Sequence, residues 1–311
     1  MSEWTRSRFV NEYIPGLETV MVDAYQQRRA AAMWPKLVTI KTSKKKKEED
    51  ALRSRLGLPV EKGEGAAISY DVQIAGAKQA WIHAVYALGI RITEEAVEDN
   101  LYELGGGGNA DGVQELYADL GDSLARNPEV IVSRLFTSGT ATTYHTTRNG
   151  AALFSTSHSR LDGSTFSNYL TATDATTASV WAAIIAAENQ LDHRQGRVEK
   201  KVTKIWHPPQ LEEKFRKIIY SPDDPSTANR AINALKQSGR NIQLCNWAYL
   251  SADPDAWFLQ CDGIGIKFYW RRKTRFAREG DFQTGDIMVK GDQRFSVEID
   301  DEREFMANVP A

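Results

Sequence analysis

The sequence predicts an α+β fold, and three observations support this class. The stretch from Asp111 to Phe136 has the apolar periodicity of one long helix. The second half of the chain mixes short strands and helices without a strict strand–helix–strand order. Hydrophobic residues make up 41% of the 311 residues and charged residues 26%, which is typical of a folded globular chain. This length suffices for one large domain or two ordinary ones.

Charge and composition argue against several classes of protein. The formal net charge of −2 disfavours a dedicated nucleic-acid binder, although local basic patches are compatible with it. Cys245 and Cys261 form no CxxC pair and no metal-ligand spacing, so two free thiols in a reducing compartment are expected. The N-terminus lacks the apolar core of a signal peptide, and no apolar run approaches the ~20 residues that span a bilayer. We therefore expect a protein that folds in a cytosol.

Residues 1–35 are predicted to form an arm. Pro15-Gly16 interrupts its short helical patches. Such patches cannot fold alone, so the arm must lie on its own body or on a neighbouring copy. The apolar positions are Phe9, Tyr13, Leu17, Val20 and Tyr25.

Residues 36–92 are predicted to form a long two-stranded excursion. A rising strand is expected at Leu37, Val38 and Ile40, and returning strands at Ile68–Ile74 and Trp81–Ile92. Between them, the run from Lys44 to Arg55 is too highly charged to bury. We interpret it as the exposed tip of the excursion, either a mobile loop or a short helix. The alternative is an electrostatic contact with a neighbour or with nucleic acid.

Two features precede the central helix. Thr93 to Leu104 is predicted to be a helix capped by Thr93. Gly105 to Gly108 then breaks the chain, and we interpret it as a flexible link. A phosphate-binding loop is not favoured, because no Lys-Ser/Thr pair follows the glycines and no clear strand precedes them.

The central helix from Asp111 to Phe136 is expected to begin with Asp111 as its cap and Gln114 at the capping-box position. Asn127-Pro128 predicts either a kink or a fresh start. Charged side chains are expected to face water, away from one apolar stripe. That stripe comprises Val113, Leu116, Tyr117, Leu120, Leu124, Ile131 and Leu135.

Residues 137–170 are polar and rich in turn-forming residues. Asn149-Gly150 predicts a tight turn, and Leu153, Phe154 and Phe166 are the apolar anchors. A stretch of this length is pinned down or functional if it belongs to a compact domain.

From Asp174 onward, a compact α/β module is predicted. The expected helices are Asp174 to Gln195, Pro209 to Ser221, and Ser226 to Ser238. The expected strands are Val202 to Trp206, Ile242 to Asn246, Trp257 to Cys261, Ile264 to Trp270, Asp286 to Lys290, and Arg294 to Ile299. Asp262-Gly263 predicts a hairpin between the third and fourth of these strands.

No group of residues in the sequence predicts catalysis, a cofactor or a metal. The five histidines, at positions 83, 145, 158, 193 and 207, form no HExxH motif. His158 lies close to Ser155 and Ser157, but without a GxSxG motif a loop histidine is the simpler interpretation. Cys245 and Cys261 are expected to be buried and inert.

Clusters of charged residues have equally ordinary explanations. Asp223, Asp224, Asp253 and Asp255 lie in turns that contain proline, where caps and turn bonds explain them. A basic cluster could contact phosphates, or could discourage unwanted pairing at a strand edge. It comprises Arg271, Arg272, Lys273, Arg275 and Arg278.

Several stretches, in order, carry a resemblance to a known family. They are Ala80–Tyr102, Ala151–Asn168, Ile205–Asn233, Tyr249–Cys261 and Arg294–Arg303. Taken together, the chain resembles the major capsid proteins of tailed phages, and is similar to the Mu-like major head subunit family with the Hong Kong 97-like fold. It departs from that family at Asn149, where Asp is usual, at Ser159, where Pro is common, and at the charged insertion from Lys44 and the Gly105 run.

The resemblance implies an architecture and a role. Residues 1–35 would be the N-terminal arm, 36–80 the E-loop, 81–169 with 286–311 the peripheral domain around a spine helix, and 170–285 the axial domain. The arm residues Phe9, Tyr13 and Leu17 would dock on a neighbouring copy.

The resemblance also implies a set of partners. The protein would be a non-enzymatic shell subunit that assembles with itself into pentamers and hexamers. Scaffold, portal and decoration proteins and packaged double-stranded DNA would be its other partners, with no membrane, cofactor or metal. It would be made in the bacterial host cytoplasm and end in the virion. Two alternatives remain open: an encapsulin-like nanocompartment shell and a soluble hydrolase.

Overall fold

The fold combines two four-stranded sheets with helices of very different lengths, which confirms the α+β class. The computed structural model describes residues 14–93, 95, 111–170, 172–223, 231–281 and 283–309. The expected helix from Thr93 to Leu104 and the glycine run after it lie almost wholly outside these residues. Within them, no helix has the length and apolar character needed to cross a bilayer.

The elements follow one another along the chain without internal repetition. The helices are α1 (Ile14–Ala31), α2 (Asp111–Thr137), α3 (Thr177–Glu188), α4 (Glu212–Tyr220) and α5 (Ala234–Gln237). The strands of the first half are β1 (Thr39–Thr42), β2 (Lys47–Arg53), β3 (Ala75–Ile82), β4 (Ala84–Ile92), β5 (His158–Ser159) and β6 (Thr165–Phe166). Those of the second half are β7 (Val202–His207), β8 (Gln243–Asn246), β9 (Trp257–Cys261), β10 (Ile266–Gly280), β11 (Ile287–Ile299) and β12 (Phe305–Asn308).

The first sheet has the strand order β1-β10-β11-β4. Its centre is the long antiparallel pair of β10 and β11, which aligns Trp270 with Phe295 and Gly280 with Ile287. Strand β1 runs parallel to β10 and ends beside Trp270, whereas β4 lies antiparallel to β11 along most of its length. The inward face of this sheet carries Phe268, Trp270 and Phe295, whose rings pack on one another.

The second sheet has the strand order β12-β9-β7-β8. Every residue of β9 is buried, so this strand contributes nothing to the surface. Helices α3, α4 and α5 cover the sheet through an apolar core that includes Val180, Ile184 and Phe215. Thr176 caps α3 with a reciprocal pair of hydrogen bonds to Ser179, which explains where that helix begins.

The central helix α2 packs on both α1 and the first sheet. It continues through Pro128, so the Asn127-Pro128 dipeptide does not start a new helix. The predicted apolar stripe is buried at Val113, Tyr117, Leu120, Leu124 and Leu135, and partly buried at Ile131, but Leu116 is 45% exposed. Near the C-terminal end of α2, the Phe136 ring contacts Phe154, Trp206, Trp247, Phe258 and Phe305.

The described part of the arm belongs to its own chain. Leu17, Met21 and Tyr25 of α1 are buried against α2. The expectation that Leu17 docks on a neighbouring copy is therefore wrong, because the apolar face of α2 already covers it. Phe9 and Tyr13, which were expected to dock in the same way, lie outside the described residues.

The charged run after Lys44 is also different from its prediction. Residues 47–53 form strand β2, which pairs antiparallel with β3. Nearby lysines compensate its charge, because Glu49 forms ion pairs with Lys47 of the same strand and, at 2.6 Å, with Lys78 of β3. Residues 54–74 follow β2 and form the actual tip, and the strand expected at Ile68–Ile74 is absent from it.

The hairpin predicted around Asp262-Gly263 is wrong. Strand β9 pairs with β7 and β12, whereas β10 pairs with β1 and β11. The chain crosses from the second sheet to the first at this point, and Gly263 N donates to Glu304 Oε2 over 2.9 Å. The two strands expected at Asp286–Lys290 and Arg294–Ile299 are one strand, β11.

Two predicted helices are shorter in the structure. The helix expected over Asp174–Gln195 is α3, which ends at Glu188, because Asn189 caps it and a turn begins there. The helix expected over Ser226–Ser238 is described only from Ala234, where the Asn233 side chain accepts from the amides of Leu235 and Lys236. The turn expected at Asn149-Gly150 is present, and Gly150 adopts a φ of 75°.

Candidate functional site

The histidine that suggested catalysis is a structural group. The ring of His158 is buried, hydrogen bonded to Asn168 Oδ1 at 3.0 Å and stacked on Phe166. Within the described residues, the ring of His158 forms no hydrogen bond with Ser155 or Ser157. Burial lowers the pKa of His158, so it remains neutral at physiological pH. The arrangement joins residues 153–158 to Asn168 and does not activate a nucleophile.

The other candidate groups are also engaged in the fold. Burial lowers the pKa values of His83, His145, His193 and His207. Cys245 and Cys261 are buried free thiols, and burial raises the pKa of Cys261 to about 12. Thiols held in this way are poor nucleophiles. Asp253 accepts the Ala256 amide through its backbone carbonyl, as expected for a turn.

One acidic cluster has ligand-like spacing. The carboxylates of Asp50, Glu298 and Asp300 lie within 4.8 Å of one another. Two cationic side chains lie among them, however. Arg148 pairs with Asp50 and Asp300 and lies 3.5 Å from Glu298, and Lys267 pairs with Asp300 and lies 3.8 Å from Glu298. These cations supply the positive charge that a metal would bring, so the donor set does not fit a metal site.

This cluster, which we call the base network, joins the long hairpin to the body. The long hairpin comprises β2, the tip at 54–74, and β3. Asp50 belongs to β2, Lys267 to β10, and Glu298 to β11. Burial raises the pKa of Glu298, and the two cations oppose that shift. The hairpin thus lies across the outer face of the first sheet on a layer of charged groups.

A second junction lies where β3 meets β4. The ring of His83 is buried between Ser43 Oγ at 3.2 Å and Ser296 Oγ at 2.9 Å. The His83 carbonyl accepts from Arg294 Nε at 3.0 Å. One histidine therefore links the end of β1, the root of the long hairpin and β11.

The tip carries the largest concentration of exposed apolar side chains among the described residues. Leu58 is 92% exposed, Tyr70 88%, and Val72 75%. Other large apolar residues of the tip are also exposed: Leu56, Val60, Ile68 and Ile74. A water-soluble monomer rarely leaves so many such side chains together without a binding role. No short sequence motif reveals this site, because it arises from the absence of a covering element.

The tip contacts its own chain mainly through one exposed ion pair. Arg194 Nη2 donates to Asp71 Oδ1 over 3.0 Å, and Gly57 N donates to Asp71 Oδ2 over 2.6 Å. The Arg194 guanidinium and the amide donors hold the pKa of Asp71 well below its usual range. Exposed pairs of this kind contribute little, so the tip is only weakly fastened.

The basic cluster of β10 is largely paired within the sheet. Arg272 and Arg275 both reach Asp292, at 3.0 and 2.8 Å, and Arg278 reaches Glu18 at 3.3 Å. Most of this cluster therefore stabilises the β10–β11 pair and its contact with α1, and is not arranged as a phosphate site.

Comparison with known proteins decides what these features belong to. The family model described as phage capsid protein matches residues 82–308. The chain belongs to the phage capsid protein family. It is a major capsid protein, and its role is structural. Comparison of the sequence with curated proteins finds no significant match.

Solved structures show that this capsid protein has the fold expected from the resemblance. The capsid of cyanophage P-SCSP1u matches with a TM-score of 0.54 and 11% identity, over 90% of this chain and 88% of that one. The capsid of a native GTA particle matches with a TM-score of 0.58 and 10% identity, over 89% of each chain. A virus-like particle from Pyrococcus furiosus matches with a TM-score of 0.53 and 10% identity, over 96% and 99%. At these identities the likeness concerns the fold alone, and the family match favours a phage shell over a cellular compartment.

Proposed function

We propose that the capsid protein closes into an icosahedral shell of pentamers and hexamers when the tip of its long hairpin docks on a neighbouring copy. The exposed tip carries this proposal. Leu58 and Tyr70 are almost fully exposed, and no described part of the chain covers them. Burial of each such side chain contributes about 1.5–3 kcal/mol. A neighbouring copy would supply the missing surface, in a head-to-tail contact that symmetry closes.

The domain division expected from the resemblance remains part of the proposal, with two changes. Strand β10 begins at Ile266 and lies in the same sheet as β11, so the axial segment of 170–285 would end near 265. Strand β12 lies beside β9, so the end of the segment 286–311 would return to the axial side. The arm stays at 1–35, and the E-loop of 36–80 begins with β1, which lies in the first sheet beside β10.

The remaining partners follow from the proposed shell. Assembly in a bacterial cytoplasm would use scaffold and portal proteins, with decoration proteins outside and double-stranded DNA inside. Membership of the Mu-like branch is proposed on the same stretches that first suggested it. The second candidate function is a nanocompartment shell, for which the fold shared with the Pyrococcus furiosus particle is the supporting observation. Purified particles that contain DNA support the phage shell, and particles that contain an enzyme support the compartment.

The shell proposal can be tested with the full chain and one triple variant. Electron microscopy of the wild type should show closed hollow particles. The variant L58S/Y70S/V72S should keep the wild-type melting temperature, because these side chains are exposed in the free chain, but should give no closed particles. The control Y144S removes an aromatic that is 55% exposed outside the hairpin, and it should assemble. A wild type that stays monomeric at high concentration with its scaffold, or a triple variant that assembles normally, contradicts the proposal.

A further inference from the structure

Strand β10 has a long unpaired edge. Its neighbour β1 ends at Thr42, opposite Trp270, and one further bond joins Ser43 N to Trp270 O. Beyond that point β10 continues to Gly280, with β11 on one side and no described strand on the other. We call residues 271–280 the free edge. Unpaired edges attract other strands, but the basic side chains here and the register shifts between Trp270 and Arg275 restrict this edge to a partner of complementary charge.

The tip contains a segment with strand character but no partner. Ile68, Tyr70, Val72 and Ile74 alternate with polar residues, which is the pattern of a half-buried strand. All four are exposed, and within this segment the backbone bonds shown at Val72 and Ile74 go to nearby side chains and to Ser54. The sequence therefore favours a strand here that the isolated chain does not form.

The geometry of one chain keeps these two elements apart. At one end of the first sheet, Ile92, Ile287 and Gly280 lie side by side on β4, β11 and β10. Further along the same strands, Ala84, Phe295 and Trp270 lie side by side. Asp50, opposite Gln79 in the hairpin, contacts Asp300 through Arg148, so β3 continues past the end of β11. The tip contacts Arg194 through Asp71, whereas the free edge contacts α1 through Thr274 and Arg278, so the two lie against different parts of the chain. A tip can reach a free edge only in another copy.

Charge selects the same pairing. Five of the ten residues of the free edge are basic, and within the described chain Arg271 and Lys273 form no ion pair. Residues 68–74 carry one acidic residue, Asp71, and no basic residue. Two free edges would repel each other, because like charges directly opposite in a sheet are unfavourable. A strand with no basic side chain and with Asp71 at its centre is the complementary occupant.

We propose that residues 68–74 of one copy add as a fifth strand to the free edge, 271–280, of the next copy. This inference rests on the proposed shell function and specifies one of its contacts. Main-chain hydrogen bonds would provide the affinity, and the alternating apolar side chains would fix which face of the strand is covered. Asp71 would exchange its pair with Arg194 of its own chain for the basic residues of the neighbour's edge.

Disulfide trapping in assembled particles tests this pairing. Tyr70→Cys is combined in turn with Arg271→Cys, Lys273→Cys and Arg275→Cys, which sample alternative registers. Paired strands bring Cα atoms within bridging distance. Both native thiols are buried and do not interfere. At least one combination should give covalent multimers on a non-reducing gel after assembly, and none before it. The single variants are the matched controls.

A fourth combination separates addition at the free edge from docking elsewhere on the first sheet. Val85 is 57% exposed on β4, at the opposite edge of the first sheet. Multimers with Tyr70→Cys/Val85→Cys and none with the edge positions would overturn strand addition, as would normal particles without any cross-link. Both results leave the shell proposal intact. If the wild type forms no particles, the shell proposal fails and this inference fails with it.

Charge exchange provides a second test should the cysteine variants fail to assemble. Asp71→Lys alone and Lys273→Glu alone should each weaken the contact about fivefold at low salt. The two together should restore particle yield. Arg194→Gln removes only the partner of Asp71 within its own chain, so it should not reduce yield. A double variant that assembles no better than the single variants overturns the pairing.

Discussion

Glu129 shows how one buried side chain can join three parts of this molecule. It lies on α2, is 5% exposed, and accepts hydrogen bonds from Met33 N at 3.0 Å and Trp34 N at 3.4 Å. The indole nitrogen of Trp247 donates to the same carboxylate. The turn after α1 and the segment after β8 are thereby held to the central helix.

We predict that Glu129→Ala lowers the free energy of unfolding by about 3 kcal/mol, because it leaves buried amide and indole donors without an acceptor. The control Glu115→Ala removes an exposed carboxylate from the same helix and should change stability by less than about 0.5 kcal/mol. Urea denaturation of both variants measures the difference. Equal losses of stability would show that the hydrogen bonds of Glu129 are not important.

His193 should make the protein sensitive to acid. Burial and the nearby Arg303 lower its pKa to about 4, from an ordinary value of 6.5. Between these two values the unfolded chain binds more protons than the folded one, so stability falls as pH decreases from about 6.5 to about 4. The slope is at most about 1.4 kcal/mol per pH unit for this residue.

His193→Gln should therefore flatten the dependence of the melting temperature on pH in that window, while the other four histidines, whose pKa values are also lowered, keep part of it. Thermal melts at intervals between pH 7 and pH 4 provide the measurement. Parallel curves for the variant and the wild type would mean that His193 does not titrate differently in the two states.

The contact between α1 and α2 depends on the absence of one side chain. A Cβ added at Gly121 would collide with the backbone carbonyl of Met21. The helices approach closely enough at this point for backbone to meet backbone, and only glycine permits it. Gly112 lies in the same helix, but a Cβ there would meet nothing within 4 Å.

We predict opposite effects for alanine at the two glycines. Alanine favours a helix by about 1 kcal/mol over glycine, so Gly112→Ala should raise the melting temperature slightly or leave it unchanged near the helix end. Gly121→Ala should lower it in spite of that gain, because α1 must move away from α2. Circular dichroism melts can compare them. Stabilisation by both changes would mean that α1 adjusts without cost.

Elements with local causes could be predicted from the sequence, whereas their partners could not. The central helix, β7 and β9 follow from apolar periodicity within their own residues. The pairing of β9 with β12 could not be predicted, because Met306 and Leu259 are far apart in the chain. Strand β2 was missed because Glu48, Glu49 and Asp50 lack strand propensity. Their charge is compensated by Lys47 of the same strand, by Lys78 of β3 and by the base network.

The candidate site was predictable only in outline. The strand-like and charged stretches of residues 36–92 predicted a long hairpin, but placed its tip at the charged residues. The true tip at 54–74 becomes visible once the strands are paired, since exposure is a property of the folded molecule. Glu129 was missed for a similar reason: a glutamate in an amphipathic helix ordinarily faces water, and only long-range donors made its burial favourable.

At the scale of the whole molecule, the lysine run gives a test of where its charge acts. Lys45 lies 3.5 Å from Glu48 and Lys47 pairs with Glu49, but Lys44 and Lys46 show no ion pair within the described chain. Charge reversal of all four lysines, 44 to 47, would break the contacts of Lys45 and Lys47 within the fold as well as change the surface charge. A variant limited to Lys44 and Lys46 separates the two effects.

We predict that K44E/K46E keeps the wild-type melting temperature and assembles less well at low salt, because one weak contact is repeated in every subunit. At high salt the difference should disappear, since screening acts over about 10 Å or less. Light scattering against salt concentration measures this. Normal assembly with reduced DNA content would instead assign these lysines to the packaged genome, and no change in either would leave them without a role.

The charged layer beneath the long hairpin affects how the molecule opens. Leu52 and Trp81, the buried apolar residues of β2 and β3, belong to none of the apolar core clusters that the described residues form. Lifting the hairpin would expose carboxylates and cations that water solvates well, together with these two side chains, while Phe268 and Phe295 stay packed. In hydrogen exchange, the amides of β2 and β3 would thus behave as a separate cooperative unit that exchanges through local opening. The amides of β11 would exchange only on global unfolding.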